Sequence, residues 1–215
     1  MKNLTFISLL FGALMFSTNA FSSELDSSEC KSKPIDKERS FTKNLEGVFN
    51  GKKLTYSASL KEKILYEKDD PSAPLASFFY SEYIVESNEN RPIMFVFNGG
   101  PGSASLWLHM GVLGPKVVKV PSDASDDGSA PYKIVDNKLS PLSETDMVFI
   151  DPVGTGFSRT VEEEPKSEDK REGDRKPNSE FWAVDRDLES LGEFMQKFLS
   201  AHGRWTSPVF IAGES

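Results

Sequence analysis

Hydrophobic positions near the start of the chain alternate with polar ones, whereas later they fall in short unbroken runs. The two patterns predict different kinds of strand. Residues 54–60 place Leu54, Tyr56, Ala58 and Leu60 on one side of an extended chain, the period-two signature of a half-buried strand. Residues 76–85, rich in Phe and Tyr, predict a second strand, joined to the first by an antiparallel turn at Asp69-Asp70-Pro71. The runs Ile93-Met94-Phe95-Val96-Phe97, Met147-Val148-Phe149-Ile150 and Val209-Phe210-Ile211-Ala212 do not alternate, which fits strands covered on both faces. Each ends abruptly in glycine and polar residues. Buried strands that end this way predict an α/β sheet with its site at the carboxyl ends of the strands.

Between the last two runs, Phe181, Val184, Leu188, Leu191, Met195 and Phe198 recur at helical spacing. They predict a helix over 180–202, capped by Asn178 or Ser179 and ended by Gly203. Residues 122–129 and the mixed-charge run 162–176 are expected to be solvated surface loops. Residues 21–50 are polar and weakly patterned, and are expected to form a flexible leader. Ahead of them, residues 1–20 have the form of a signal peptide: Lys2, an apolar stretch around Leu9 to Met15, then Thr18 and Ala20 before a cleavage site. The domain expected to fold therefore covers 51–215, and the protein is expected to be secreted or periplasmic.

Composition narrows the picture. The chain has 215 residues, with 16 Phe, 5 Tyr and 3 Trp to build a core, so it is not a disordered segment. A formal net charge of -8 disfavours nucleic acid as a partner, because phosphates would be repelled. No membrane association is expected once the signal segment is removed. Cys30 is the single cysteine; in an exported protein it is either a free thiol on the leader or the partner of a cysteine beyond residue 215. No cluster of ligand residues at metal spacing occurs, so neither metal nor cofactor is expected.

The chemistry lies in the loops. Gly213-Glu214-Ser215 follows a buried run, the position in which a nucleophilic serine stands on a tight strand-to-helix turn. Three residues alone fit an ordinary turn equally well. The loop Asn98-Gly99-Gly100-Pro101-Gly102 shifts that balance. Acyl transfer needs backbone N–H groups aimed at a developing oxyanion, and glycines let the backbone approach without a side chain in the way.

Taken with Ser103-Ala104-Ser105 and Gly114-Pro115, that loop resembles the signature of the serine carboxypeptidase family. Asp151-Pro152-Val153-Gly154-Thr155-Gly156-Phe157-Ser158 resembles a second family signature, and Ile211-Ala212-Gly213-Glu214-Ser215 the start of its nucleophile motif. The resemblance implies an α/β-hydrolase fold with a mixed, mostly parallel central sheet, ending here at the nucleophile elbow of an N-terminal fragment of a bacterial-type member. It implies attack by Ser215 on the scissile carbonyl and an oxyanion N–H from Gly100. It also implies that Asn98, Gly99 and Glu214 bind the substrate's C-terminal carboxylate, with Glu214 holding a proton as it does so. The expected substrates are peptides or proteins with a free C-terminus. The triad Asp and His would lie beyond residue 215, so this fragment by itself is expected to be inactive.

Two positions depart from the family pattern: Ser103 stands where many members have Cys, and Val112 where many have an acidic residue. His109 and His202 precede Ser215, against the Ser, Asp, His order of this fold, so neither is expected to be the base. Asp151 is expected to tie the loop after its strand. The alternatives are an acyltransferase or esterase on the same scaffold, or a binding module without catalysis.

Overall fold

The computed structural model describes residues 35, 37–87, 90–99, 102–120, 130–163, 176–177 and 179–214. The expected signal peptide, Cys30, Gly100, most of the two expected surface loops, Asn178 and Ser215 lie outside them.

The first elements are a hairpin, β1 (Ser40–Phe49) and β2 (Lys52–Tyr66), paired from Ser40↔Lys61 to Phe49↔Lys52. The flexible leader expected over 21–50 is thus corrected at its end, since residues 40–49 are a strand. Its side chains are mostly exposed, so it carries no apolar alternation. The turn between the strands is Asn50-Gly51, with φ 48° and 80°. Positive φ at both central residues suits a two-residue hairpin, and Asn-Gly supplies it at little steric cost.

β3 (Pro74–Val85) returns antiparallel to β2, as expected from the Asp69-Asp70-Pro71 turn. There Asp70 Oδ1 accepts from the Ser72 N–H at 2.9 Å and from the Ser72 hydroxyl at 2.6 Å. Along β2 the buried side changes. Tyr56, with Leu54 and Ala58 beside it, joins one core layer, whereas Leu65 joins the other. Leu60, expected on the buried side, lies at this changeover and is 45% exposed.

β4 (Ile93–Asn98) leads into a short α-helix, α1 (Leu106–Leu108), continued by a π-helical turn, His109–Leu113. The hairpin β5 (Lys116–Lys119) and β6 (Lys133–Asp136) stands apart as a two-stranded sheet. β7 (Asp146–Ile150) follows, then β8 (Arg159–Thr160) beside β3, and the short pair β9 (Glu162–Glu163) and β10 (Lys176–Pro177). A 3₁₀ turn, Ser179–Trp182, precedes α2 (Val184–Ala201), and β11 (Val209–Glu214) completes the order.

The main sheet runs β1-β2-β3-β7-β4-β11, with β8 off this path. It is mixed: β1, β2, β3 and β7 pair antiparallel in succession, while β7, β4 and β11 are parallel. The parallel part carries the site loops. In β4 and β7 the unbroken apolar runs are explained by two layers. Phe95, Val148 and Ile150 face one cluster, with Phe194 and Phe198 of α2. Val96, Met147 and Phe149 face the other, with Phe49, Tyr56 and Leu142.

β11 forms the end of the sheet path, with Val209, Phe210 and Ile211 exposed, as expected of an apolar strand at the edge. α2 starts later than expected. Its N-cap is Ala183, with no side-chain cap, and Val184 and Leu188 point outward. Asp185 and Asp187 in its first turn favour the positive end of the helix dipole. Gly203, at φ 64°, ends the helix as expected, with the Arg204 N–H reaching back to the Leu199 carbonyl at 2.8 Å.

At the amino ends of the parallel strands, buried Asp146 gathers two arginines. Arg91 Nε donates to Oδ1 at 3.1 Å and Arg204 Nη1 to Oδ2 at 3.0 Å, while the Val85 N–H also donates to Oδ1 at 3.0 Å. A buried carboxylate is tolerated when cationic partners and backbone donors compensate it in this way.

Candidate active site

The parallel pairing of β4 and β11 sets Asn98 directly beside Glu214 at the carboxyl ends of both strands. Strand alternation then points both side chains the same way. Asn98 Nδ2 donates to Glu214 Oε2 at 3.0 Å, and Asn98 is only 2% exposed. Its Oδ1 accepts from the Leu108 N–H at 3.1 Å. The amide is therefore fixed at both ends, with its orientation set by the chemistry of its partners. The Gly99 N–H donates to the Glu214 carbonyl at 2.5 Å, extending the ladder one step past the strands.

Asp151, the first residue after β7, does what was expected of it and more. Its Oδ1 accepts from the Ser105 N–H at 2.9 Å and the Ser105 hydroxyl at 3.0 Å, joining the loop after β4 to the loop after β7. Its Oδ2 accepts from the Phe157 N–H at 3.3 Å. Gly156, at φ 53°, has no room for a Cβ, which would collide with the Asp151 carboxylate. The Ser158 hydroxyl donates to the Asp151 carbonyl at 2.6 Å and accepts from the Phe79 N–H at 2.7 Å, anchoring the second loop to β3.

Of the residues singled out in the sequence, Asn98, Gly99 and Glu214 come together, while Gly100 and Ser215 lie outside the described residues. His109 begins the π-helical turn that follows the first loop. Its Nε2 shares a hydrogen bond of 2.6 Å with Tyr83 Oη, and its ring stacks on Phe149 at 4.4 Å. Loss of solvent pushes its pKa down to about 4, so the ring is neutral near pH 7. His202 caps the far end of α2, stacks on Phe198 at 4.0 Å and faces buried Glu82 at 3.4 Å. Among the described residues, no group of three or more His, Cys, Asp or Glu side chains is arranged to hold a metal ion. No helix among them is long and apolar enough to cross a membrane.

The contacts through Leu108 and Tyr83 were not foreseen from the sequence. Nothing in a Leu marks its N–H as a partner for Asn98. The only available hint was a histidine within an apolar stretch that follows a glycine-rich loop.

The model of the serine carboxypeptidase family matches residues 66–215, from the end of β2 through the whole parallel part of the sheet. The chain belongs to the serine carboxypeptidase family. Its mixed sheet is accordingly that of an α/β-hydrolase. Curated relatives agree. Over 155 residues, 68% of this chain, it is 32% identical to the pheromone-processing carboxypeptidase KEX1 of Saccharomyces cerevisiae. Over 140 residues, 64% of this chain, it is 28% identical to serine carboxypeptidase-like 13 of Arabidopsis thaliana. Over 141 residues it is 29% identical to the probable serine carboxypeptidase CPVL of Dictyostelium discoideum. The matched parts make up 18%, 28% and 23% of those proteins' lengths, so the chain spans about a quarter or less of most of them.

Proposed function

We propose that the full-length protein is an exported serine-type carboxypeptidase that releases C-terminal amino acids through an acyl-enzyme at Ser215. Family membership supports hydrolysis of peptides. The observation that carries the finer reading is the Asn98–Glu214 pair, 3.0 Å apart at the ends of two parallel strands, with Glu214 preceding Ser215 in the sequence. An exopeptidase must recognise a free carboxylate. An amide N–H and a carboxyl group do this when the carboxyl contributes a proton, since two bare carboxylates repel. Asn98 is well placed for the task because Leu108 holds its oxygen and leaves its NH₂ turned toward Glu214.

In this reading Ser215 attacks the scissile carbonyl. The Gly100 N–H and the N–H of the residue after Ser215 receive the oxyanion, and Gly99 assists carboxylate binding through its backbone. The acyl-enzyme is then hydrolysed. Peptides with a free C-terminus are the substrates, and residues 1–20 direct export.

The test is a pair of pH profiles of kcat/KM for the full-length protein, one on a peptide and one on its C-terminal amide. The peptide is expected to be cleaved best at acidic pH, where a shared proton is available, and the amide to show a weaker acid preference. Identical alkaline optima for both would remove Glu214 from carboxylate recognition.

A further inference from the structure

The Asn98 amide is held from behind by a backbone N–H, and that N–H belongs to a short, irregular helical segment. Leu108 ends α1, immediately before the π-helical turn His109–Leu113. A three-residue helix has little stability of its own, so what fixes its place must come from tertiary contacts. Tertiary contacts hold both sides of Leu108, which itself packs against the Phe149 cluster, and the segment's own backbone bonds link them. Asp151 holds Ser105 at the start of the segment. The His109 N–H returns to the Ser105 carbonyl at 2.9 Å, and the Gly114 N–H to the His109 carbonyl at 2.9 Å. The His109 ring, next in sequence to Leu108, is clamped between Tyr83 Oη at 2.6 Å and the face of Phe149. Gly114 closes over that ring so tightly that a Cβ there would meet both its carbonyl and its Cδ2.

We propose that His109 is a positioning residue for carboxylate recognition: anchored by Tyr83 and Phe149, it holds the Leu108 N–H on Asn98 and so keeps the Asn98 NH₂ turned toward Glu214. The proposal rests on the carboxypeptidase reading of the Asn98–Glu214 pair. His109 touches no reacting atom in it. The ring works as a neutral hydrogen-bonding wedge, consistent with the desolvation that keeps it uncharged. It also gives a physical reason for a histidine in an otherwise apolar stretch, where a leucine would fill the space without reaching Tyr83.

The test compares wild type, His109→Leu, Tyr83→Phe and His109→Gln in the full-length protein. Gln retains a polar tip that can reach Tyr83. Steady-state kinetics are measured on a peptide and on its C-terminal amide, and backbone amide exchange is followed at Leu108. Losing one orienting hydrogen bond is expected to raise KM for the free-carboxylate peptide about tenfold in His109→Leu and Tyr83→Phe, with kcat and the amide substrate changed less than about twofold. Exchange at Leu108 should quicken by a similar factor, and His109→Gln should recover most of both effects. Equal losses on the two substrates, or unchanged Leu108 exchange in His109→Leu, would overturn the proposal. A wild-type enzyme indifferent to the C-terminal carboxylate would instead sink the parent reading, while Leu108 exchange still reported on the anchoring itself.

Discussion

Lowering the pH tests the burial of His109 directly, because the protein is built around its neutral form. An exposed histidine protonates near pH 6.5, whereas His109 is held to about 4 by desolvation. The folded-state pKa is depressed, so the unfolded chain takes up the proton first. Stability from this site is complete above pH 6.5 and is lost as pH falls from there toward 4. Integrating the difference in proton binding gives a loss of about 2 kcal/mol between pH 7 and pH 5, and about 3 kcal/mol by pH 4. That is a large share of the roughly 5–15 kcal/mol typical of a domain. Urea unfolding followed by tryptophan fluorescence at several pH values measures it. Other groups titrate over the same range, so the informative quantity is the difference between wild type and His109→Gln, which cannot titrate. Wild type should lose about 2 to 3 kcal/mol more than the variant between pH 7 and pH 4. Parallel pH curves for the two proteins would show that the ring is not desolvated as described, and the anchoring role would lose its electrostatic support. The result also bears on function, since an enzyme favouring acidic pH would work where this site contributes least to its stability.

Two further predictions concern the frame of the site. Gly156→Ala forces a side chain into a left-handed backbone, at a cost of about 1 to 2 kcal/mol, and drives a Cβ into the Asp151 carboxylate; a total loss of at least about 2 kcal/mol is expected in thermal unfolding, and an unchanged Tm would contradict the geometry of that loop. Asp146→Ala leaves the half-buried Arg91 and Arg204 without their shared carboxylate, and a loss of about 3 kcal/mol is expected by denaturant titration; the double variants with each arginine should recover part of it, whereas strict additivity would show that the groups do not interact.

Much of the fold was legible because its central strands obey simple patterning. Ile93–Asn98 and Asp146–Ile150 have layers on both sides, so their apolar runs are unbroken and easily read. β1 left no such trace. Most of its side chains face solvent, and its place depends on backbone pairing and on the Asn50-Gly51 turn, the one local signal that marked it. The start of α2 was misplaced for a related reason. Phe181 keeps helical spacing with Leu191 and Phe198 and is fully buried, yet it sits in a 3₁₀ turn, so burial imitates a continuous helix where the backbone changes pitch. In the site, the glycine loops were legible from the residues themselves, and the grouping of Asn98 with Glu214 followed from the family resemblance. The role of the Leu108 N–H was not legible, because a backbone donor acquires a role only through the fold that aims it.

The ties at the two ends of the parallel strands are best understood together. At the amino ends, one buried carboxylate, Asp146, binds Arg91 ahead of β4 and Arg204 ahead of β11, and itself begins β7. At the carboxyl ends, Asn98 binds Glu214, and Asp151 binds the Ser105 loop. Strand register is the quantity both sets control. A slip of one residue between β4 and β11 would turn Asn98 and Glu214 to opposite faces and abolish their contact. Apolar packing by itself is not directional and tolerates small displacements along a strand. The ion pairs at the amino ends supply directional resistance, because a guanidinium displaced by one residue, about 3.3 Å, can no longer reach the same carboxylate. The Arg91–Asp146–Arg204 cluster therefore has a consequence at the other end of the sheet: by fixing where the strands begin, it fixes which side chains meet where they end.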